Sequence, residues 1–520
     1  MIPDSLILSI IILIPFLGAV TVTAWRTLNS YTVRYAAFFF SFLASLLTIL
    51  LYTDFDTNSE SLQFVCKVEL FPDLGISYFL GLNGISFMLL LLSSLTVLLG
   101  ILFATSLLQN AHSFYALMLV IQGGLYGIWT AKNFIIWFVF LQMVFICIYG
   151  IIRFWSPNSK ESASYHFFIY HTVAGLCLLF AFTLLYTGSG TFNFDELISM
   201  SQSQQMAEAF EKNITLWGVS TETVFCVAFW LLVASVFIIT PMIPFHSWAA
   251  ITYTEAPVSI TLLLAALVNK IGIFVFAGFV LPVFTKQIQE YSVFLMTLAY
   301  VNILFCIWVG MVQQNIKRIL TYISMAYLGY SVLCCIIALY PETSANARLY
   351  QMENLNGGLL RIYDHTIIFS IFFYAVGFLE NKYQGKLLLS EFGSLRRTTP
   401  RLAVLMMLGI FSLMGIPGLC GFVSQYFMFK GIFSFSPLFA LACGVTYLLI
   451  SYLMLSMLQT IFGGKGNPLH YGSFSDMTIL DIFPIIPFVI LMFISCFYPE
   501  LTWGTLIEPF SKILLNTLPT

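Results

Sequence analysis

The chain has 520 residues, of which 60% are hydrophobic and only 8% charged, with a formal net charge of −2. A soluble domain carries about 25% charged residues, so this composition excludes a water-soluble globule. The absence of any basic block argues against a nucleic-acid partner. Apolar runs of this length fit helices that cross a lipid bilayer, because backbone polar groups inside lipid must be satisfied within the segment.

Taken in order, the apolar runs predict an all-α membrane protein with about fourteen spans. They lie near 5–25, 32–52, 84–104, 113–131, 133–153, 165–187, 223–245, 258–281, 292–312, 316–339, 359–380, 402–426, 436–461 and 478–498. Three connections are longer than the rest: 53–83, 188–222 and 340–358. The first span follows Met1 to Asp4 without a small-residue cleavage site, so it reads as a retained span and not as a removed signal. Ten cysteines are scattered, two of them as Cys334-Cys335, with no CxxC spacing, and behave as small hydrophobes. Residues 501–520 read equally as a disordered tail or as an amphipathic tail at the interface or docked on a neighbour, with Leu506, Phe510, Ile513 and Leu514 on one face.

An even span count places both termini on one side. The opposite side carries Arg26, Arg34, Arg153, Lys160, Lys317, Arg318, Lys382, Lys386, Arg396, Arg397, Arg401 and Lys465, most of which read as solvated loop charges. The side of the termini is acid-rich, with Asp54, Asp56, Asp195, Glu196, Glu208 and Glu211. By the positive-inside rule the termini face outward. The expected home is a bacterial inner membrane, with the lipid bilayer as the surrounding partner.

Two spans are interrupted. The one near 223–245 breaks at Pro241 and Pro244, and the one near 402–426 breaks at Gly415, Pro417, Gly418 and Gly421. Broken helices in corresponding positions point to repeat-built transporters with a site near the membrane midplane. The stretch Thr240–Gly272 is the centre of the chain. His246 and Trp248 follow the first break, Glu255-Ala256-Pro257 opens the next helix, and Lys270 sits in its apolar middle. A cation there costs roughly 2.5–3.5 kcal/mol on insertion scales, so something must offset it.

Other ionisable residues inside spans are few: His166 and His171 on the sixth, and Asp364 and His365 on the eleventh. Gln122, Gln142, Asn269, Tyr322, Tyr327 and Gln425 add polar groups. Singly each fits hydrogen-bonded packing; together with Lys270 they point to a buried polar axis. No metal-ligand spacing, phosphate loop or nucleophile constellation stands out.

These stretches carry a family resemblance. FYALMLVIQGGLYGIWTAKNFIIWFVF, PFHSW followed by TEAPVSITLLLAALVNKIG, QQNIKRILTYISMAYLGY and LRRTTPRLAVLMMLGIFSLMGIPGLCGFVSQYF resemble the antiporter-like subunits of respiratory complex I. TEAP points to the chain-4, or bacterial subunit M, type, and the resemblance covers nearly the whole length. It implies two inverted five-helix repeats, over 113–281 and 292–461, and a polar axis along the midplane. It also implies sister antiporter-like subunits as partners and no redox cofactor on this chain, electron transfer being done elsewhere.

The resemblance carries over residue by residue. Lys270 and His246 match the family's eighth-helix lysine and the histidine after the first break, and His365 matches the eleventh-helix histidine of an Asn-His pair. The departures are large. The family's fifth-helix glutamate falls on Gln142, its lysine before the first break on Ile239, its tenth-helix histidine on Tyr327 and its twelfth-helix glutamate on Gln425.

Two roles follow for a complex I member: a relay through Lys270, His365 and His171, or a scaffold that has lost conventional pumping. The joint loss at Gln142, Ile239 and Gln425 favours reduced pumping. Related chains in cation/proton antiporters, membrane-bound hydrogenases and inorganic-carbon uptake systems supply an alternative, and a stand-alone transporter a third. In none of these is a catalytic site of its own expected.

Overall fold

The computed structural model describes residues 4–516, apart from 26–28, 58, 60, 105–108, 158–159, 204, 206–219, 342–346, 384–386 and 464–474. Arg26, Glu208, Glu211, Lys386 and Lys465 therefore lie outside the described residues. Among the described residues, thirteen helices are long and apolar enough to cross a membrane.

The chain divides into two compact units. The first comprises Met1–Pro241, Leu267–Tyr291 and Thr505–Thr520; the second comprises Met242–Ala266 and Ser292–Gly504.

In the first unit, α1 (Asp4–Ala24), α2 (Ser30–Asp54), α3 (Gly84–Phe103), α4 (Ala111–Thr130), α5 (Phe134–Trp155) and α6 (Lys160–Ser189) pack as sequential neighbours. Asparagines start several of them. Asn29, Asn83 and Asn133 each accept a backbone N–H of the first turn through the side chain, which satisfies one of the donors a helix start leaves open. Helix α7 (Phe194–Gln202) and α8 (Thr221–Ile239) follow.

The long 53–83 connection is not pure loop. It forms an antiparallel hairpin of β1 (Gln63–Phe71) and β2 (Ile76–Leu82), in register Cys66 to Leu80, Val68 to Tyr78 and Glu69 to Ser77. Gly75 turns the chain at φ +64°, a conformation that costs glycine nothing. The signal was period-2 alternation in KVEL, hidden among longer helical runs.

In the second unit, α9 (Ser247–Glu255) leads into the composite helix α10 (Val258–Val283), whose second part lies in the first unit. Then come α11 (Ser292–Val312), α12 (Ile316–Ile337), α13 (Ala347–Tyr383), α14 (Pro400–Leu413), α15 (Gly421–Phe435), α16 (Pro437–Phe462) and α17 (Ile479–Phe497). The span expected at 402–426 is the pair α14–α15, broken over the residues between them and running on to Phe435.

The expected 340–358 connection is largely helical. Helix α13 starts at Ala347 and runs 37 residues, about 55 Å at 1.5 Å per residue. Glu353, Asn354 and Asn356 look like loop residues, but all three are buried, and packing overrides their polarity. Lys317 also departs from expectation. It is a 2% exposed side chain in an ion pair with Glu380 at 2.6 Å, not a solvated loop charge. In the tail, α18 (Glu508–Asn516) buries Phe510 and Leu514 within the first unit.

Candidate proton path

The first break lies between Ile239, which ends α8, and Ser247, which opens α9. In the first unit, Lys270 is fully buried on α10. Two π-helical segments, Leu264–Val268 and Phe276–Val280, flank the α-helical turn that carries it. Such segments displace backbone carbonyls from their regular partners. The Thr240 hydroxyl donates to the Asn269 carbonyl at 2.7 Å, tying the end of α8 to the residue before Lys270. Gly272 permits that approach: a Cβ there would run into Thr240 Oγ1 and lie 2.8 Å from the Val236 carbonyl. Ile239, the residue that the resemblance sets against the family's lysine, is a buried apolar residue.

His171 on α6 is buried, stacked on Phe167 with centroids 4.0 Å apart and edge-on to Phe145 at 4.4 Å. Its Nδ1 lies 2.8 Å from the Phe167 carbonyl. A carbonyl only accepts, so Nδ1 is the donor in this contact. Gln142 lies across Gly175, where a Cβ would strike its amide nitrogen. His171 lies four residues before Gly175, one turn away on α6. His166 is half-buried, its Nδ1 donating to the Ser162 carbonyl at 2.7 Å.

Lys132, between α4 and α5, was not singled out by sequence. It is 7% exposed beside a cavity of about 300 Å³ whose walls include Trp137, Phe182, Phe194 and Phe279. Burial pushes its ammonium below the ordinary lysine range, and Asp195 opposes that shift.

The second unit begins at Met242, which leads into a tight turn where the Ile243 N–H donates to Asn302 Oδ1 at 3.1 Å. His246 is half-buried at the start of α9, edge-on to Phe305 at 5.0 Å. Pro244 sits on the exposed side of the turn. Glu255 ends α9. Just beyond it, Lys317 Nζ lies 3.5 Å from the Thr254 and Ala256 carbonyls. A cation on carbonyls at a helix C-terminus is well placed, and Glu380 completes the arrangement.

A cluster of buried polar residues surrounds α13. His365 Nε2 lies 2.9 Å from the Ser324 hydroxyl, with the ring stacked on Phe369 at 4.1 Å. Asp364 is fully buried; its oxygens make no hydrogen bond of normal geometry but face Ser424 and Cys420 at the second break. One turn earlier stands Arg361, also fully buried, its guanidinium 3.7 Å from the centre of the Tyr327 ring and 5.2 and 5.5 Å from those of Tyr330 and Tyr447. Sequence reasoning missed Arg361 because it lay near the expected start of a span. The available signal was its spacing of three from Asp364, which puts both on one helix face.

The second break is closed by Gln425. Its amide nitrogen donates to the Leu413 carbonyl at 2.9 Å and to the Tyr447 hydroxyl, and the Tyr447 hydroxyl itself donates to the Leu413 carbonyl. Gly415, at φ +72°, leaves room for the Gln425 side chain. Gly418, at φ +98°, follows Pro417 in the same turn. Position 425 is therefore a hydrogen-bond donor to backbone, which an ionised carboxylate is unable to be.

Comparison with known proteins fits this architecture. The family model described as "NADH:quinone oxidoreductase/Mrp antiporter, TM" matches residues 131–451, more than half of the chain. F(420)H(2) dehydrogenase subunit M of Methanosarcina mazei is 28% identical over 498 residues, covering 93% of each chain. NADH-quinone oxidoreductase subunit M of Rickettsia prowazekii is 23% identical over 94% of each. NADH-ubiquinone oxidoreductase chain 4 of Arabidopsis thaliana is 24% identical over 95% of this chain and 94% of its own.

Among solved structures, a chain of respiratory complex I from Thermus thermophilus superposes with a TM-score of 0.82 at 20% identity, over 99% of this chain and 100% of that one. A chain of the Mrp complex from Dietzia sp. gives 0.77 at 18% identity, over 97% of this chain and 52% of that one. The chain belongs to the NADH:quinone oxidoreductase/Mrp antiporter family, as an antiporter-like membrane subunit of the kind found in complex I-type and related complexes.

Proposed function

We propose that this chain carries protons across the membrane as one unit of a redox-driven membrane arm, beside sister antiporter-like subunits. The observation that supports it is the complete burial of Lys270 between two π-helical turns. A buried cation is costly, and a scaffold would do as well with an apolar residue there. A lysine ammonium also shifts its protonation readily when desolvated, which a relay group must do.

The non-titratable residues at Gln142, Ile239 and Gln425 mean that the usual input and output groups do not serve here. His171, one turn of α6 before the glycine on which Gln142 packs, and Asp364, beside the second break, are the titratable groups we offer for those two places. The relatives named as dehydrogenase and quinone oxidoreductase subunits favour electron transfer in neighbouring chains as the driving reaction. We place the termini on the outer face of a bacterial inner membrane, which a terminal tag reactive only from outside would test.

The test is made on the complex recovered with the tagged chain and reconstituted in vesicles. Lys270→Ala is expected to remove this subunit's share of protons moved per electron while the complex still assembles. Unchanged stoichiometry would leave the scaffold role standing. Recovery of partners with no redox proteins would favour an ion or inorganic-carbon transporter.

A further inference from the structure

Helix α13 carries an unusual load of buried polarity between residues 353 and 364. Within that stretch Glu353 Oε2, Asn354 Oδ1, Asn356 Oδ1, all three Arg361 nitrogens and both Asp364 oxygens are buried without a hydrogen bond of normal geometry to the protein. Buried polar atoms are nearly always satisfied by protein or by ordered water. So many within three turns point to internal water along the helix. At about 100° per residue, Glu353, Asp364, Arg361 and Asn354 fall within roughly one third of the helix circumference. The stripe faces α15: a Cβ at Gly357 would meet the Met428 backbone, and one at Gly431 would meet Asn354.

The two ends of the stripe differ in character. At one end Asp364 faces the turn of the second break, and the fixed guanidinium of Arg361 sits one helical turn away against Tyr327. At the other end Glu353 pairs with Lys430 of α15, which is 45% exposed, so this end reaches the protein surface. The rise between Asp364 and Glu353 is about 16 Å.

We propose that residues 353–364 of α13 line a hydrated proton branch from the second break to the surface, with Asp364 as its inner carboxyl and the Glu353–Lys430 pair as its mouth. The branch rests on the reading that protons cross this chain. Arg361 keeps its charge throughout, since guanidinium does not give up its proton in proteins. With Asp364 ionised, the Arg361–Asp364 pair is neutral. When a proton arrives on Asp364 the guanidinium is left uncompensated in a low-dielectric setting, which favours passing that proton on. It leaves as hydronium along the stripe, is taken by the Glu353 carboxylate, and is released to the surface as Lys430 re-pairs with Glu353. The Asp364 carboxylate is thereby regenerated, and no electron is exchanged.

The test uses the same reconstituted complex. Asp364→Asn and Glu353→Gln are each expected to abolish this subunit's share of proton movement with electron transfer retained, and Glu353→Asp to keep most of it. Because Asp364→Asn leaves Arg361 without a counter-charge, the double variant Arg361→Met with Asp364→Asn is measured alongside, and it is expected to assemble and to lose the same share. If Lys270→Ala removes the share but Asp364→Asn, Glu353→Gln and the double variant all keep it, the branch is wrong and the proposed function stands. If Lys270→Ala also leaves stoichiometry unchanged, the proposed function itself falls, and the branch with it.

Discussion

Replacing Arg361 by glutamine tests the energetics of the α13 cluster directly. The guanidinium lies 3.7 Å from the Tyr327 ring centre and near two further tyrosines, and a desolvated cation–π contact is worth about 2 kcal/mol. Its removal also strips Asp364 of the nearby cation. Arg361 and Asp364 form none of the ion pairs found among the described residues, so the cost of breaking a buried pair, about 3–5 kcal/mol, is an upper bound here. These effects overlap, so the expected loss for Arg361→Gln is about 2–4 kcal/mol and not their sum. With asparagine at 364 the same replacement is expected to cost only about 2 kcal/mol, the cation–π share. The double-mutant cycle is read from unfolding of the purified chain in mixed detergent micelles. A coupling below about 0.5 kcal/mol, the scatter of independent sites, would refute the idea that Arg361 and Asp364 compensate each other.

Three further outcomes follow from other parts of the molecule. Gln425→Glu is expected to weaken the second break and not to restore transport, because an ionised carboxylate has no proton for the Leu413 carbonyl; the same unfolding assay and proton stoichiometry check it. Gly272→Ala is expected to cost about 1–3 kcal/mol as an overpacked site, because the new methyl meets Thr240 and the Val236 carbonyl, with protection of the Asn269 region in hydrogen exchange falling in parallel. The third concerns the hairpin. Burial pushes Glu196 up, but hydrogen bonds from Thr191 and Asn193 and the ammonium of Lys67 outweigh it and hold the carboxyl below its ordinary range. An acid depressed in the folded state contributes stability above its unfolded value and loses it as pH falls through the folded one. The exposed Lys67–Glu196 pair limits that contribution to under about 1 kcal/mol. The protection factors of the β1 amides, after correction for the intrinsic slowing of exchange in acid, are expected to fall on acidification, and Glu196→Gln to flatten that dependence.

The composition and the spacing of apolar runs were enough to show a many-helix membrane protein, because lipid leaves the backbone few alternatives. Pro241, Pro244, Gly415, Pro417 and Gly418 marked both breaks for the same reason: they are the residues that interrupt a helix or tolerate positive φ. Lys270 was legible because a lysine among apolar neighbours stands out in one dimension. The rest needed three dimensions. Arg361, Glu353 and Lys317 read as end or loop charges until packing showed them buried, since burial depends on neighbours distant in sequence. Position 425 read as a lost acid, but only the fold shows its amide closing the second break. The pairing of Asp364 with that same break joins two helices about sixty residues apart in the chain, a meeting that local pattern does not encode and that tertiary packing alone decides.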